Sequence, residues 1–567
     1  MTGKPSPVAR ILNLVKLERK EIAAIYFYAI LNGLILLAIP VGIQALIGFA
    51  QTTTASASIV VLIVLVVVSV FTAGILQIKQ MQLTEKIQQK IFVRYSFEIA
   101  KKIPALKLSA VDNYYLPELI NRFFDIVTLQ KSLAKLLLAF PLAIIQIVFG
   151  LLLLTFYHPV FIAFGVLLIL IIYGILYFSG TKGLQTSLQE STYKYKVAGW
   201  LEEMARIIRS VKFAKTTDFH LQKTDEHVTH YLNARTSHFK ILELQFKTLI
   251  GFKTLVTTAM LVVGTYLLLN QQLNVGQFIA AEIVILTIIG SVEKLIGNLD
   301  SVYDVLTSVE KIEKITDKEI EESGSIKLQT PAGNGVSIAL QQISFRYPGA
   351  ITNTLNNISF NIAANEKVCI QGDEGSGKST LLRLLTGSYS HFEGAVLINN
   401  IPVNNYDLQS LRLQTGVVIS QQDIFEGTLM DNICMGLQEV NMQEVLSLCN
   451  KTGLTAFIST LKNGFDTPLF ATGRKLPAHA VKKILLIRAL INQPKLLLLE
   501  EPWIGLEEQN QQQIIKLLLT EMNNTTVIVI TKDDAFATAC DKTIILKQTG
   551  CLIINGNPQI PGGGEDL

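Results

Sequence analysis

The sequence predicts an α-helical membrane domain of six transmembrane helices, followed by an α/β domain with a phosphate-binding loop. Half of the 567 residues are hydrophobic and only 17% are charged, compared with roughly 25% in ordinary soluble domains. The first part of the chain contains long apolar segments, and short β-rich runs between helices follow them. The third observation is the glycine-rich stretch 372–379, which reads GDEGSGKS and joins an apolar run to a helical pattern.

The membrane domain is predicted from segment length. A hydrocarbon core roughly 30 Å thick needs about 20 mostly apolar residues in a helix. Six segments meet this condition, at residues 22–50, 58–78, 133–156, 159–178, 248–269 and 275–297. Pro40 and Pro141 lie inside spans, where a kink is tolerated if neighbouring groups satisfy the freed carbonyl groups. We therefore expect residues 1–310 to form the membrane domain.

The segments between the spans predict orientation. The short segments near 51–57, 156–160 and 270–274 contain no Lys or Arg, whereas the long segments 79–132 and 179–247 are rich in both. Loops rich in Lys and Arg stay on the cytoplasmic side of a membrane. We expect a multi-pass protein of the cytoplasmic (inner) membrane, with the long segments and both termini in the cytoplasm.

Glu282 lies within the sixth predicted span, between Ala281 and Ile283. A charge at that depth is costly unless it faces protein or water. Two interpretations stay open. Glu282 could contact a polar or cationic part of a substrate in a cavity, or it could be a protonated residue that is hydrogen-bonded within helix packing.

The pattern changes after the sixth span. Residues 311–335 are predicted to be a linker because they end in Gly-, Ser- and Pro-rich stretches. Residues 336–560 then alternate between short β-rich runs and helices, which predicts an α/β nucleotide-binding domain. The β-rich runs are Val336–Ile343, Glu366–Ile370, Ala395–Ile398, Thr415–Ile419, Lys495–Leu499, Thr526–Ile530 and Lys542–Leu546.

The stretch 372–379 matches the complete phosphate-loop pattern G-x-x-x-x-G-K-[ST] in the required strand–loop–helix context. Glycines let backbone N–H groups surround phosphates, and the N-terminus of the following helix adds partial positive charge. Lys378 can reach the β- and γ-phosphates of ATP, and Ser379 can hold Mg²⁺. The predicted ATP contacts are Gly372, Asp373, Glu374, Gly375, Ser376, Gly377, Lys378, Ser379 and Thr380.

Six membrane helices followed by one phosphate-loop domain resemble a half-transporter of the ATP-binding cassette (ABC) exporter family, of the type I kind, over essentially the whole chain. The resemblance implies an ATPase coupled to transport, which uses ATP and Mg²⁺ as a homodimer or as a heterodimer with a second half-transporter. We call the phosphate-loop domain the cassette.

The resemblance also bears on substrate and partners. The domain order and residues 275–282 look most like exporters of peptides or proteins that work with a membrane-fusion adaptor in type 1 secretion, while lipid or drug export stays open. We expect no peptidase domain before the first span and expect contact with membrane lipid. The net charge of +4 is too small to favour nucleic-acid binding.

The resemblance assigns further site residues. Tyr347 resembles the tyrosine that stacks on adenine, although a tyrosine in a strand can simply be packed. Gln421 resembles the glutamine that links Mg²⁺ to the membrane helices, with Gln422 as the alternative. Glu500 stands where the family usually has Asp, and its carboxylate would contact Mg²⁺ through a water molecule. Glu501 is the candidate that polarises the attacking water.

Several family motifs are altered. Leu476–Ala480 stands in place of the signature LSGGQ, so its serine and both glycines are missing. Lys532 replaces the switch histidine, and a lysine cannot accept a proton near neutral pH. The segment Trp503–Glu507 stands in place of the family's D-loop and keeps only its leucine and its terminal acid. Residues 112–123 and 206–218 resemble the helices that couple the two domains.

The altered motifs affect different ATP sites, because each site in the family lies between one cassette's phosphate loop and the other's signature. With an intact partner, Lys532 would damage one site and Leu476–Ala480 the other. In a homodimer both sites would carry both defects. We expect ATP binding with slow hydrolysis. The alternative is an ATP-binding regulatory or scaffold subunit of an export complex, with little ATPase activity of its own.

Overall fold

The structure is a computed structural model. It describes residues 7–52, 57–112, 114–215, 218–330, 334–419, 424–437, 439–473, 475–547 and 550–555. The chain divides into two compact units. The first contains Met1–Ala105 and Asn113–Lys318, and the second contains Leu106–Asp112 and Glu319–Leu567.

The described residues of the first unit form helices joined by short turns, as expected for long apolar segments that must satisfy their backbone hydrogen bonds internally. Its helices are α1 (Pro7–Leu17), α2 (Arg19–Leu36), α3 (Ala38–Thr52), α4 (Ala57–Lys102), α6 (Leu116–Ile120), α7 (Asp125–Tyr157), α8 (Val160–Arg206), α9 (Ile208–Lys212), α10 (Phe219–Leu269), α11 (Val275–Gly297) and α12 (Leu299–Thr316). The short helix α5 (Leu108–Val111) belongs to the second unit.

Six helical stretches within the described residues are long and apolar enough to cross a membrane, which confirms the six predicted spans. They are Arg19–Gln51, Ala57–Ala105, Leu116–Tyr157, Val160–Arg206, Phe219–Leu269 and Val275–Thr316. Most continue well beyond the apolar windows predicted from the sequence, because their polar extensions are also helical. The first stretch is interrupted at Leu37, three residues before Pro40, which cannot donate a backbone hydrogen bond.

Packing in the first unit pairs α8 with α10, α2 with α4, and α7 with both α11 and α12. One hydrophobic cluster surrounds Ile288 between α7, α8, α10 and α11, and a second surrounds Ile126 between α2, α4, α7 and α12. Apolar side chains also cover outer surfaces: Phe71 on α4 and Ile169 on α8 are exposed. Such a surface suits contact with lipid, as expected of a multi-pass membrane protein.

The second unit is the α/β domain. Its strands are β1 (Ile338–Phe345), β2 (Leu355–Ile362), β3 (Lys367–Gly372), β4 (Glu393–Ile398), β5 (Ile401–Pro402), β6 (Thr415–Val418), β7 (Gly427–Thr428), β8 (Pro468–Leu469), β9 (Leu496–Glu500), β10 (Thr526–Ile530), β11 (Lys542–Lys547) and β12 (Gly550–Asn555). Its other helices are α13 (Lys378–Leu385), α14 (Leu408–Leu413), α15 (Leu429–Cys434), α16 (Met442–Thr452), α17 (Thr455–Ile458), α18 (Ala478–Leu490), α19 (Glu508–Lys516) and α20 (Asp534–Ala539).

The larger sheet of the described residues has the strand order β12-β11-β3-β10-β9-β6, and a second sheet has the order β2-β1-β4-β5. From β11 to β6 the neighbouring strands of the larger sheet are parallel. Ile530 of β10 is paired with Ile370 of β3 on one side and with Glu500 of β9 on the other. The loops that follow these three strands therefore leave the same sheet edge, which is where α/β folds bind ligands.

Part of the loop between the second and third spans belongs to the second unit. Leu106 forms a β-bridge with Ile320, and the hydroxyl group of Tyr389 donates to both carboxylate oxygens of Asp112, at 3.2 and 3.1 Å. The segment that groups with the cassette thus begins before the predicted coupling segment 112–123. The helix α6, inside that predicted segment, belongs to the first unit.

Candidate functional site

The phosphate loop follows β3, and its three glycines have positive φ angles that L side chains rarely adopt. The φ angles are +143° at Gly372, +83° at Gly375 and +90° at Gly377. A Cβ atom at Gly372 would lie 2.3 Å from the carbonyl oxygen of Leu546, whereas one at Gly375 would meet no atom within 4 Å. A Cβ atom at Gly377 would lie 2.5 Å from the side chain of Leu355, so the loop is packed at both ends and open at its middle. This fits backbone N–H groups that receive phosphate.

Lys378 and Ser379 open α13 directly after the loop. The ammonium group of Lys378 donates to the carbonyl oxygens of Gly372 and Asp373, at 2.7 and 2.6 Å. The hydroxyl group of Ser379 donates to the carboxylate of Glu500, at 2.5 Å. The structure thus brings two residues predicted to serve Mg²⁺ into direct contact, although they are far apart in the sequence.

Glu501 follows β9 in a left-handed backbone conformation, with φ +45°. Its backbone N–H donates to the carbonyl oxygen of Ile530, at 2.9 Å, and its carboxylate accepts from the hydroxyl group of Thr531, at 3.3 Å. A non-glycine residue in this conformation is held there by its surroundings, and such residues are concentrated at functional sites. The backbone therefore fixes the direction of the Glu501 Cα–Cβ bond, and Thr531 holds the carboxylate.

Two residues beside Glu501 were not predicted from the sequence. Thr531 could have been found, because it follows β10 at the same sheet edge as the phosphate loop. Lys482 of α18 donates to the carbonyl oxygens of Glu501 and Ile504, at 3.0 and 2.7 Å. Burial lowers the pKa of Lys482. No sequence signal indicates this tertiary contact, which ties α18 to the backbone of Glu501.

Lys532 follows Thr531, and its side chain is 74% exposed. Its ammonium group lies 3.6 Å from the carboxylate of Glu374, which is 93% exposed. An ion pair this exposed contributes little to stability. Lys532 and the phosphate loop therefore lie at the same end of the sheet.

Tyr347 lies beside the loop and is partly packed. Its hydroxyl group is 3.0 Å from that of Thr380 and accepts from Arg383 at 3.2 Å. Its ring makes edge contacts with Phe345 and Tyr389, at centroid distances of 5.0 and 5.5 Å. The side chain is thus anchored next to the predicted ATP contacts. Its stacking on adenine stays a prediction.

The glutamine motif lies outside the described residues, which stop at residue 419 and resume at residue 424. This applies to both Gln421 and Gln422. The strand β6 before them pairs with β9, so the chain enters this segment next to Glu500. The described residues contain no group of three or more His, Cys, Asp or Glu side chains that could hold a metal ion. Mg²⁺ would be held by Ser379, Glu500 and phosphate oxygens.

The altered signature stands at the start of α18. Pro477 precedes the helix without a side-chain cap, and Ala478 and His479 are exposed. Ala480 is fully buried. The helix thus presents a proline and two Cβ-bearing residues where the family has serine and glycines. These side chains obstruct a close approach of phosphate to the backbone.

Behind the phosphate loop, burial raises the pKa of the Cys369 thiol to about 12. Cys369 and Cys540 are both buried and free in the structure. A thiol with such a pKa is not a nucleophile near neutral pH. The chemistry of this site therefore rests on carboxylates, hydroxyl groups and Lys378.

The arrangement fits ATP with Mg²⁺. The open glycine loop and Lys378 can bind the phosphates, Ser379 and Glu500 can hold the ion, and Glu501 is available to orient water. Two family models match the chain: "ABC transporter" at residues 355–503 and "ABC transporter transmembrane region" at residues 22–292. Together they cover the helical unit except its two ends, and they include the phosphate loop, Glu500 and Glu501.

Curated relatives match at moderate identity. The cyclolysin secretion/processing ATP-binding protein CyaB of Bordetella pertussis is 32% identical over 45% of this chain and 36% of its own length. The alpha-hemolysin translocation ATP-binding protein HlyB of Proteus vulgaris is 31% identical over 44% of this chain and 35% of its own. YfiB of Bacillus subtilis, an uncharacterized ABC transporter ATP-binding protein, is 28% identical over 50% of this chain and 49% of its own length.

The matched region thus spans between a third and a half of the length of these relatives. Among solved structures, a bacterial Atm1-family ABC exporter with ATP bound shares the fold, with a TM-score of 0.83 over 95% of both chains and 18% sequence identity.

Proposed function

The chain belongs to the ABC transporter family, and we propose that it is one half of a dimeric exporter that uses ATP to move a substrate out across the cytoplasmic membrane. The observation that carries the proposal is the convergence of the phosphate loop, Ser379, Glu500 and Glu501 at one edge of the parallel sheet. The membrane-spanning helices of the same chain supply the path, and the predicted orientation places the cassette in the cytoplasm.

The residues of the site have separate roles in this proposal. The loop and Lys378 bind the phosphates and offset their charge. Ser379 and Glu500 orient Mg²⁺, with Gln421 completing the set. Glu501, fixed through its backbone and Thr531, orients the attacking water. Tyr347 binds the adenine. Thr380, in the first turn of α13, contacts the hydroxyl group of Tyr347 and so connects the adenine side of the site with the phosphate loop.

ATP would act by closing two cassettes together and switching the membrane domains outward. ATP can shift this equilibrium only through its differential affinity for the two states. Closure therefore needs binding, and resetting needs hydrolysis. We infer slow resetting in this chain, because a lysine stands at position 532 in place of the switch histidine and Pro477–His479 would obstruct the partner's phosphate.

A peptide or protein substrate is the favoured cargo. The CyaB and HlyB relatives carry the descriptions secretion/processing and translocation. By analogy we propose type 1 secretion with a membrane-fusion adaptor as partner, and a homodimer or a heterodimer of half-transporters. An amphipathic compound as cargo is the next possibility that the apolar membrane unit supports.

The test is reconstitution of the full chain in liposomes, with ATP binding and ATP turnover measured separately. Lys378→Ala should abolish binding, because the phosphates lose their cation. Glu501→Gln should keep binding and abolish turnover, because the amide cannot act as a base.

Turnover that survives in Glu501→Gln would contradict the role of Glu501. Turnover equal to that of an exporter with intact motifs would contradict the inferred slow resetting. Binding by the unmodified chain with no turnover, alone or with a second half-transporter, would support the regulatory or scaffold subunit instead.

A further inference from the structure

One face of α11 is unlike the other outer surfaces of the membrane unit. Residues spaced by three or four positions share a face of a helix. On α11 the set 275, 279, 282, 286, 290, 293 and 297 forms such a face, which we call the α11 stripe. It contains Glu282, Glu293 and two glycines. The opposite face is buried at Ala281, Val284, Ile288 and Ile289, among others.

The α11 stripe is only partly covered by the described part of the chain. Leu286 is 54% exposed, and a Cβ atom at Gly290 or Gly297 would meet no atom within 4 Å. Glu293 lies 3.4 Å from Lys253 of α10, with both side chains about half exposed. Glu282 is half-buried and makes no hydrogen bond or ion pair with a described residue. Packing within the described part of this chain therefore does not explain why a glutamate stands at position 282.

Lipid does not explain it either. A lipid-facing surface in this unit is apolar, as at Ile169 and Leu170 of α8. Placing a carboxylate against hydrocarbon costs several kcal/mol, so ionisable residues in spans face water or protein. Glu282 lies about 16 Å along the helix from Glu293, well inside the span. Lys294 is on the neighbouring face at the far end of α11. The stripe and Lys253 together carry one excess negative charge.

We propose that the α11 stripe lines a water-filled path and that Glu282 binds a cationic group of the cargo there. The proposal rests on the export function proposed above and narrows its substrate to positively charged peptides or amphiphiles. Charge complementarity carries it: an acid without a described partner inside a span is stabilised when a cation or water approaches it.

The test uses a cysteine one turn from Glu282. Leu286→Cys in the full chain, in lipid nanodiscs, is treated with a cationic or an anionic methanethiosulfonate reagent, and labelling at position 286 is measured by mass spectrometry. The native cysteines all lie in the cassette, and their peptides are distinct. Ile169→Cys on the apolar face of α8 is the matched control and should resist both reagents.

We expect Leu286→Cys to react, with a cation-to-anion rate ratio roughly tenfold above that of a free thiol. Glu282→Gln in the same background should bring the ratio down, and Glu282→Asp should retain it. Tetraphenylphosphonium should slow the labelling only when Glu282 is present. Its anionic counterpart, tetraphenylborate, should show no such dependence.

Three results would overturn the proposal. The first is no reaction at Leu286→Cys, which would place the stripe against lipid or a second copy. The second is a rate ratio that Glu282→Gln does not change, and the third is equal protection by tetraphenylphosphonium and tetraphenylborate. ATP binding is measured on the same preparations. Because labelling needs no ATP, failure of this proposal and failure of the export function give different results.

Discussion

Lys367, the first residue of β3, shows how one buried charge can hold a turn of the cassette. Its ammonium group donates to the carbonyl oxygens of Asn365, Met522 and Thr525, at 3.1, 2.7 and 2.7 Å. Burial lowers its pKa, yet the three acceptors compensate the ammonium group for lost water. The lysine thus connects the start of β3 with the turn before β10, and both strands lead to the ATP site.

Replacing Lys367 by Met keeps the aliphatic stem but leaves three carbonyl groups without their donor. We expect the cassette to lose roughly 2–4 kcal/mol of stability. Hydrogen–deuterium exchange of β3 and of residues 522–525 in the full chain should accelerate. Lys451→Met is the control, because Lys451 and Glu521 form an ion pair with both side chains 41% exposed. Equal effects of the two substitutions would contradict this account.

At the scale of elements, the sequence predicts strands well where they are continuously apolar. Each of the seven predicted β-rich runs overlaps a strand, and Thr526–Ile530 has the predicted bounds. β2 was missed because asparagines interrupt it: Leu355, Ile358, Phe360 and Ile362 are buried, but their spacing is irregular. Register shifts against β1 at this point account for the irregular spacing. Tertiary pairing, not local pattern, forms this strand.

The candidate site follows the same division. The phosphate loop could be predicted because its chemistry depends on consecutive residues. Glu501 was predicted as a carboxylate, but its positive φ angle and the hydroxyl group of Thr531 depend on the pairing of β9 with β10. The contact of Lys482 with two carbonyl groups joins separate elements and leaves no trace in the sequence.

The helix α18 supports the site through Lys482, and this contact can be tested. Lys482→Met should lower ATP turnover by roughly tenfold to a hundredfold, because a small displacement of the Glu501 backbone misaligns its carboxylate. ATP affinity should stay unchanged, since the phosphate loop does not contact Lys482 in the described structure. Turnover and equilibrium binding of nucleotide on the same reconstituted protein check the two expectations.

Lys483→Met is the matched control on the same helix. Its ammonium group also donates to a carbonyl oxygen, that of Gly453 at 3.0 Å. Gly453 is the residue directly after the end of α16, and it does not belong to the ATP site. We expect lower thermal stability with unchanged turnover per folded molecule. If both lysine variants lose turnover alike, Lys482 acts through the stability of α18 and not through the position of Glu501.

At the scale of the whole molecule, the oligomer decides what the altered motifs do. In the family's arrangement each ATP site combines one cassette's phosphate loop with the partner's signature. In the proposed dimer, Lys532 would affect the phosphate-loop side of a site, and Leu476–Ala480 would affect the signature side. A homodimer therefore places both defects in each site, whereas an intact partner separates them.

Repairing both motifs distinguishes these assemblies. One repair is Lys532→His. The other joins Pro477→Ser, Ala478→Gly and His479→Gly and leaves the buried Ala480 unchanged. In a homodimer the reductions in the barrier add within one site, so two repairs of about tenfold each should give about a hundredfold gain in turnover. With an intact partner the repairs act on separate sites, and their rate increments should only sum.

ATPase assays on the reconstituted chain, alone and with any second half-transporter found beside it, measure these gains. Lys451→His is the control for the substitution itself and should leave turnover unchanged, because Lys451 forms an exposed ion pair with Glu521 and is not one of the predicted site residues. Repairs that leave turnover unchanged in every assembly would show that neither Lys532 nor Leu476–Ala480 limits hydrolysis. The slow step would then lie in the membrane unit, because the helices must also reset after each ATP molecule is hydrolysed.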